Sequence, residues 1–160
     1  MLNWLDAAAA SLALQEMSMT LGKVLLVEDN DEIGAVYREG LENSAFDVTT
    51  TGSATSARRL IMAQQFDVLL YDLHAAETAD VFDVVRALRH TNPKAVILVL
   101  SRNAELHGGL SALLLRTCEV LVKPTRMVTI IERIRNGLLT TGPHLLSDKY
   151  GASQLGSSQK

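Results

Sequence analysis

Short apolar runs in this chain give way abruptly to residues that can do chemistry. Val24 to Val27 is followed by the adjacent carboxylates Glu28 and Asp29, Val68 to Tyr71 by Asp72, Val96 to Leu100 by Ser101, and Val120 to Val122 by Lys123 and Pro124. If these run ends meet, their carboxylates, hydroxyl and ammonium share one crevice. Clustered carboxylates raise one another's pKa unless a cation neutralises them. Hard oxygen ligands, few in number, suit Mg²⁺, which keeps several waters and shares a phosphate oxygen readily. A carboxylate is also an established acceptor of phosphoryl groups. A phosphoryl group on Asp72 would place its charge where Mg²⁺, the Ser101 hydroxyl and the Lys123 ammonium can each meet an oxygen, as electrostatic stabilisation of phosphoryl transfer requires.

The elements that must position these residues alternate apolar runs with helical periods. The strands are the runs named above together with Val48 to Thr51. That last run is more polar and belongs at an edge, whereas the others lack alternation, as parallel strands covered by helices on both faces do. Residues 31–44 place Ile33, Val36, Tyr37, Gly40 and Leu41 along a core-facing stripe, with Asn30 or Asp31 as cap. Ser53 caps a second helix with Ala57, Leu60 and Ile61 inward. Residues 78–91 carry Val81, Val84, Val85 and Leu88 before Asn92-Pro93 ends the segment. Residues 104–116 hold Leu106, Leu110, Leu113 and Leu114 despite Gly108-Gly109. Residues 125–139 begin at Thr125 as a cap, with Val128, Ile131, Ile134 and Leu138 on the buried side. This order predicts an α/β chain of flavodoxin-like type, a (βα)₅ three-layer sandwich around a parallel five-stranded sheet of order 2-1-3-4-5. Its ligand crevice lies beyond the carboxyl ends of strands 1 and 3.

Composition narrows the function classes. A chain of 160 residues with 48% apolar and 21% charged content suits one globular domain. A net charge of -3 gives no reason to expect direct nucleic-acid binding. The lone Cys118 cannot pair within the chain and reads as a small core residue at the start of a strand. Residues 1–21 form an extension whose part 3–16 favours a short helix, without the basic lead-in of a signal peptide and too short to span a membrane. The expected location is therefore cytoplasmic. Residues 141–160, rich in Gly, Ser, Thr and Gln, read as a flexible tail.

Glu28-Asp29 after strand 1, Asp72 after strand 3, Ser101 after strand 4 and Lys123-Pro124 after strand 5 together resemble a receiver domain of a two-component response regulator, over residues 22 to about 140. The resemblance implies that Asp72 accepts phosphate from the phosphohistidine of a sensor histidine kinase or a phosphotransfer protein. It also implies that Glu28, Asp29, Asp72 and the main-chain carbonyl of His74 hold Mg²⁺, that Ser101 and Lys123 bind the phosphate, and that the Lys123-Pro124 bond is cis. Such a domain is not an enzyme acting on other substrates; it catalyses its own phosphotransfer and dephosphorylation. Taken singly, Asp72 also reads as a loop carboxylate or helix cap, and Ser101 as a cap. The chain departs from the family where Met-Pro often follows the phosphoacceptor, here Ala75-Ala76, and where a Gly-Ala pair commonly precedes strand 5, here Arg116-Thr117. Arg102 stands where a small residue is favoured beside the switch hydroxyl, and Val120 where an aromatic switch residue is usual; both are candidate modulators of the site.

The expectation is a stand-alone receiver whose output runs through protein–protein contacts, because few residues follow the last helix. The leucine-rich segment 104–116, strand 5 and the helix after it form the expected face for a homodimer or a downstream partner. A degenerate receiver that serves as a phosphate-independent scaffold is the alternative, motivated by Arg102, Val120 and Ala75-Ala76. A cobalamin-binding domain is more remote. Its Asp-x-His-x-x-Gly motif is met only by Asp72-Leu73-His74, with Glu77 in place of Gly, and after the wrong strand.

Overall fold

The buried runs pair as a parallel sheet in a computed structural model that describes residues 19–73, 78–102 and 118–141. Its strands are β1 (Lys23–Val27), β2 (Asp47–Thr51), β3 (Val68–Leu73), β4 (Val96–Ser101) and β5 (Glu119–Val122). All neighbours run parallel, in the order β2-β1-β3-β4-β5. The polar β2 takes an edge, as its composition requires. Every residue of β3 and β4 is buried, which is why neither shows the alternation of a half-exposed strand.

Four helices lie among the described residues: α1 (Asp31–Glu42), α2 (Ala54–Ala63), α3 (Thr78–Thr91) and α4 (Met127–Thr141). The sheet divides two cores by strand parity. Leu25, Val27, Leu69, Tyr71, Ile97 and Val99 pack with Ala57 and Ile61 of α2 and with Val81, Val84, Val85 and Leu88 of α3. Val24, Leu26, Val68, Leu70, Leu98 and Leu100 pack with Leu41 of α1 and with Ile130 and Ile134 of α4. The result is the three-layer α/β sandwich of flavodoxin-like type. Residues 1–18, 74–77, 103–117 and 142–160 lie outside the described residues, and with them the expected N-terminal helix, the helix at 104–116, the loop at Ala75-Ala76, Arg116-Thr117 and the tail.

The caps follow local chemistry. The Asn30 side-chain oxygen accepts from the amides of Glu32 and Ile33 and so starts α1, while Ser53 Oγ accepts from the Ser56 amide at the start of α2. Thr125 does not cap α4. Its hydroxyl donates back to the Val122 carbonyl at 2.7 Å, and the helix begins two residues later. Two stripe assignments also change. Val36 is exposed, because α1 turns Gly34 and Leu41 inward, and Val128 is exposed, because α4 buries Ile130 and Ile134. No described helix is long and apolar enough to cross a membrane.

Candidate functional site

Strand parity also decides which of the polar run ends meet. Glu28 continues the alternation of Val24 and Leu26, Asp72 that of Val68 and Leu70, and Lys123 that of Leu121, all of which face α1 and α4. The β1–β3 register ends at Val27 opposite Tyr71, so one step further sets Glu28 beside Asp72. Backbone bonds hold both flanks of the crevice: the Glu28 amide donates to the Thr51 carbonyl at 2.9 Å, and the Lys123 amide to the Ser101 carbonyl at 2.8 Å. The bond between Lys123 and Pro124 is cis.

The outcome is a buried acidic pair met by one ammonium. Asp72 is 1% exposed and Glu28 6% exposed. Lys123 Nζ donates to Asp72 Oδ2 at 2.5 Å and is in ion-pair contact with Oδ1 as well. The Asn30 amide donates to Glu28 Oε1 at 2.9 Å, so the residue that caps α1 also steadies the first carboxylate. Burial is the main cause that pushes the Glu28 carboxyl up to about 7, followed by its hydrogen bond to Asp72; the Asn30 bond acts against them. Gly34 of α1 faces Glu28, and a β-carbon there would sit 3.6 Å from Glu28 Cγ, an ordinary van der Waals contact.

The remaining sequence candidates are placed as follows. Asp29 is exposed at the rim next to Glu28. Ser101 is buried, and its alternation with Ile97 and Val99 aligns it with the α2/α3 side rather than with Asp72. Arg102 is exposed. Val120 packs against the α2/α3 core as a half-buried aliphatic side chain. His74 lies outside the described residues. Tyr37 packs against the α1/α4-side core, as its stripe predicts, and also lines an open cleft of about 440 Å³ with Arg102, Lys123, Pro124 and Thr125. Burial first, then the charges of Asp72 and Glu28, push its phenol pKa up, and Arg102 opposes the shift. Tyr37 stands midway along the apolar stripe of α1, so the sequence offers no signal for this role.

Among the described residues, no three His, Cys, Asp or Glu side chains are grouped so as to enclose a metal ion. A hydrated Mg²⁺ needs less, because it is commonly held through one or two carboxylates and keeps the rest of its shell as water. The adjoining Glu28 and Asp72 carboxyls, whose crowding a cation would relieve, fit that donor set.

Known proteins give this geometry a family. The chain is 31% identical over 115 residues to the transcriptional regulatory protein CpxR of Escherichia coli, covering 72% of this chain and 48% of that one. It is 25% identical over 133 residues to the transcriptional regulatory protein CusR of Escherichia coli K12, covering 83% of this chain and 58% of that one. It thus spans little more than half the length of such relatives at most. Among solved structures, a response regulator receiver protein from Sinorhizobium medicae matches with a TM-score of 0.64 at 20% identity, over 74% of this chain and 95% of that one. The chemotaxis protein CheY4 of Vibrio cholerae matches with a TM-score of 0.64 at 22% identity, over 74% of this chain and all of its own. Residues 24–135 match the model of the response regulator receiver domain, which runs from the second residue of β1 into α4 and so takes in every strand end described above. The chain belongs to the response regulator receiver domain family, the phosphoacceptor modules of two-component signalling.

Proposed function

We propose that Asp72 accepts a phosphoryl group from the phosphohistidine of a sensor histidine kinase or phosphotransfer protein, with residues 22–140 as the receiver unit. The observation that carries this reading is the buried Lys123–Asp72 ion pair beside Glu28. A carboxylate buried only to be neutralised would be an expensive core element. A carboxylate paired with an ammonium at the carboxyl end of a parallel sheet stands where such folds bind ligands, and it is a group that can act as a nucleophile.

Each residue then has a role. Asp72 supplies the attacking oxygen. Lys123 pairs with Asp72 in the resting state and, after transfer, offers its charge to a phosphoryl oxygen. Glu28 and Asp29, with Asp72 and the His74 main-chain carbonyl, would hold Mg²⁺. When bound, the metal neutralises charge on the phosphoryl oxygens. Ser101 would donate its hydroxyl to the phosphoryl group, which its strand parity allows only if the end of β4 turns toward Asp72.

Incubation with acetyl phosphate and Mg²⁺ should add the mass of one phosphoryl group to the chain, and Asp72→Asn should add none. A wild-type chain that gains no mass, and binds no beryllofluoride in the presence of Mg²⁺, would overturn the reading. It would favour a phosphate-independent scaffold, the second reading. Val120 supports that second reading, because an aliphatic side chain packed against the core has no ring to bury when a switch hydroxyl moves.

A further inference from the structure

The cleft above Asp72 carries more positive charge than the acidic pair uses. Lys123 is committed to Asp72, with only 14% of its side chain exposed. Arg102, on the same cleft, is exposed and forms no hydrogen bond or ion pair with a described residue. Tyr37 of α1 lines the same cleft, half-buried, with its phenol close enough to Arg102, Asp72 and Glu28 to respond to all three charges.

A tetrahedral phosphate approaching this crevice meets the repulsion of Glu28, Asp29 and Asp72. The ammonium already there is engaged. A second cation at the mouth changes the balance, and a guanidinium is well matched to it because its planar fork can meet two phosphate oxygens at once. Obstruction is the competing role for so large a side chain. It would require the guanidinium to be held over Asp72, and no described residue holds it there.

We propose that Arg102 and Tyr37 form, with Lys123, a binding cleft for the phosphate of the phosphoryl donor, so that Arg102 recruits the donor instead of blocking Asp72. The inference rests on the reading of Asp72 as phosphoacceptor for its purpose, but not for its detection. With acetyl phosphate as donor, the bond from an Asp72 carboxylate oxygen to phosphorus forms as the phosphorus–oxygen bond to the acetyl group breaks. The electron pair of the broken bond leaves on acetate. Arg102 and the Tyr37 hydroxyl bind non-bridging oxygens before and during that exchange, leaving Lys123 to follow the group onto Asp72.

The test uses the full chain in two arms. In the first, inorganic phosphate, which cannot transfer a phosphoryl group, is titrated onto the protein without metal and followed by ³¹P NMR line width. Arg102→Ala should raise the half-saturating concentration about tenfold, as the loss of a charged hydrogen-bonding partner does, with Arg102→Lys recovering part of it and Tyr37→Phe costing about threefold. In the second, the rate of phosphoryl incorporation is measured against acetyl phosphate concentration with Mg²⁺. Arg102→Ala should raise KM about tenfold and leave kcat within about twofold. A variant that is phosphorylated faster than wild type, or whose KM and phosphate binding are unchanged, overturns the inference and leaves the phosphoacceptor reading standing. Phosphate binding that depends on Arg102 in a chain that never gains a phosphoryl group would uphold the cleft and overturn the phosphoacceptor reading.

Discussion

Lys123, just past the end of β5, donates its ammonium to the carboxylate of Asp72 on β3, 51 residues earlier in the chain, and the Asp72 side chain is fully buried. The pair is asymmetric in its access to water. Lys123→Met strands an anion beside Glu28, and breaking a buried pair from one side costs about 3–5 kcal/mol. Asp72→Asn leaves a flexible ammonium near the surface, where it can rehydrate. Urea unfolding at pH 7 should show the larger loss for Lys123→Met, with the double variant recovering part of it. Equal losses for the two single variants would mean that the ion pair is not what keeps Asp72 buried.

The acidic pair also sets a pH dependence. Burial, then the hydrogen bond to Asp72, raises the Glu28 carboxyl from 4.5 to about 7. The folded chain therefore binds this proton more tightly than the unfolded chain, so stability falls as pH rises across that window and levels off above it. In EDTA, the thermal midpoint of the wild type should drop between pH 5 and pH 8 relative to that of Glu28→Gln, which has no proton to lose. Added Mg²⁺ should restore the wild type most at pH 8, where the carboxylate is free to bind it. Parallel pH profiles for the two proteins would show that Glu28 titrates as an ordinary surface acid.

The sheet order and the meeting of Glu28, Asp72 and Lys123 were legible because strands carry a period of two and each run ends sharply. Alternation from Leu26, Leu70 and Leu121 points these side chains to one face. Helix phase was less legible. Gly34 gives no apolar signal, yet it is the buried residue that α1 turns toward Glu28, so Val36 was assigned inward in its place. Val128 was misplaced similarly, one position from a stripe through Ile130, Ile131 and Ile134. Tyr37 gives no sign of the cleft, and Arg102 stands out as a modulator without a direction. A tyrosine on an apolar stripe reads as core whether or not its hydroxyl reaches a crevice, and a residue just beyond a strand obeys no period that would say which way it faces.

Asn30 links helix stability to the site. Its side chain caps α1 through the Glu32 and Ile33 amides, while its own amide holds Glu28. Asn30→Ala should cost about 1 kcal/mol through the lost cap, and Asn30→Ser should recover most of it. Because the bond to Glu28 comes from the backbone, the pH dependence assigned to Glu28 should survive in Asn30→Ser. Its disappearance there would mean that the side chain, and not the amide, positions the carboxylate.

Two glycines of the α1/α4 layer separate helix propensity from packing. Alanine in place of a helical glycine ordinarily stabilises by about 1 kcal/mol. At Gly40 of α1, an added β-carbon would come within 2.8 Å of Met127 Cε and Cγ, and at Gly137 of α4 within 2.8 Å of both Val96 γ-carbons. Met127 is a flexible, partly exposed side chain that can swing aside, whereas Val96 is β-branched and buried on β4. Gly40→Ala should therefore be close to neutral. Gly137→Ala should destabilise by about 1–3 kcal/mol, because the overpacking has no cheap relief. Combining Gly137→Ala with Val96→Ala tests the cause: the double variant should lose less than the sum of the two single losses, since truncating Val96 removes the atoms the new methyl would meet and that methyl fills part of the room left. Additive losses in chemical denaturation would show that Gly137 is needed for something other than room for Val96.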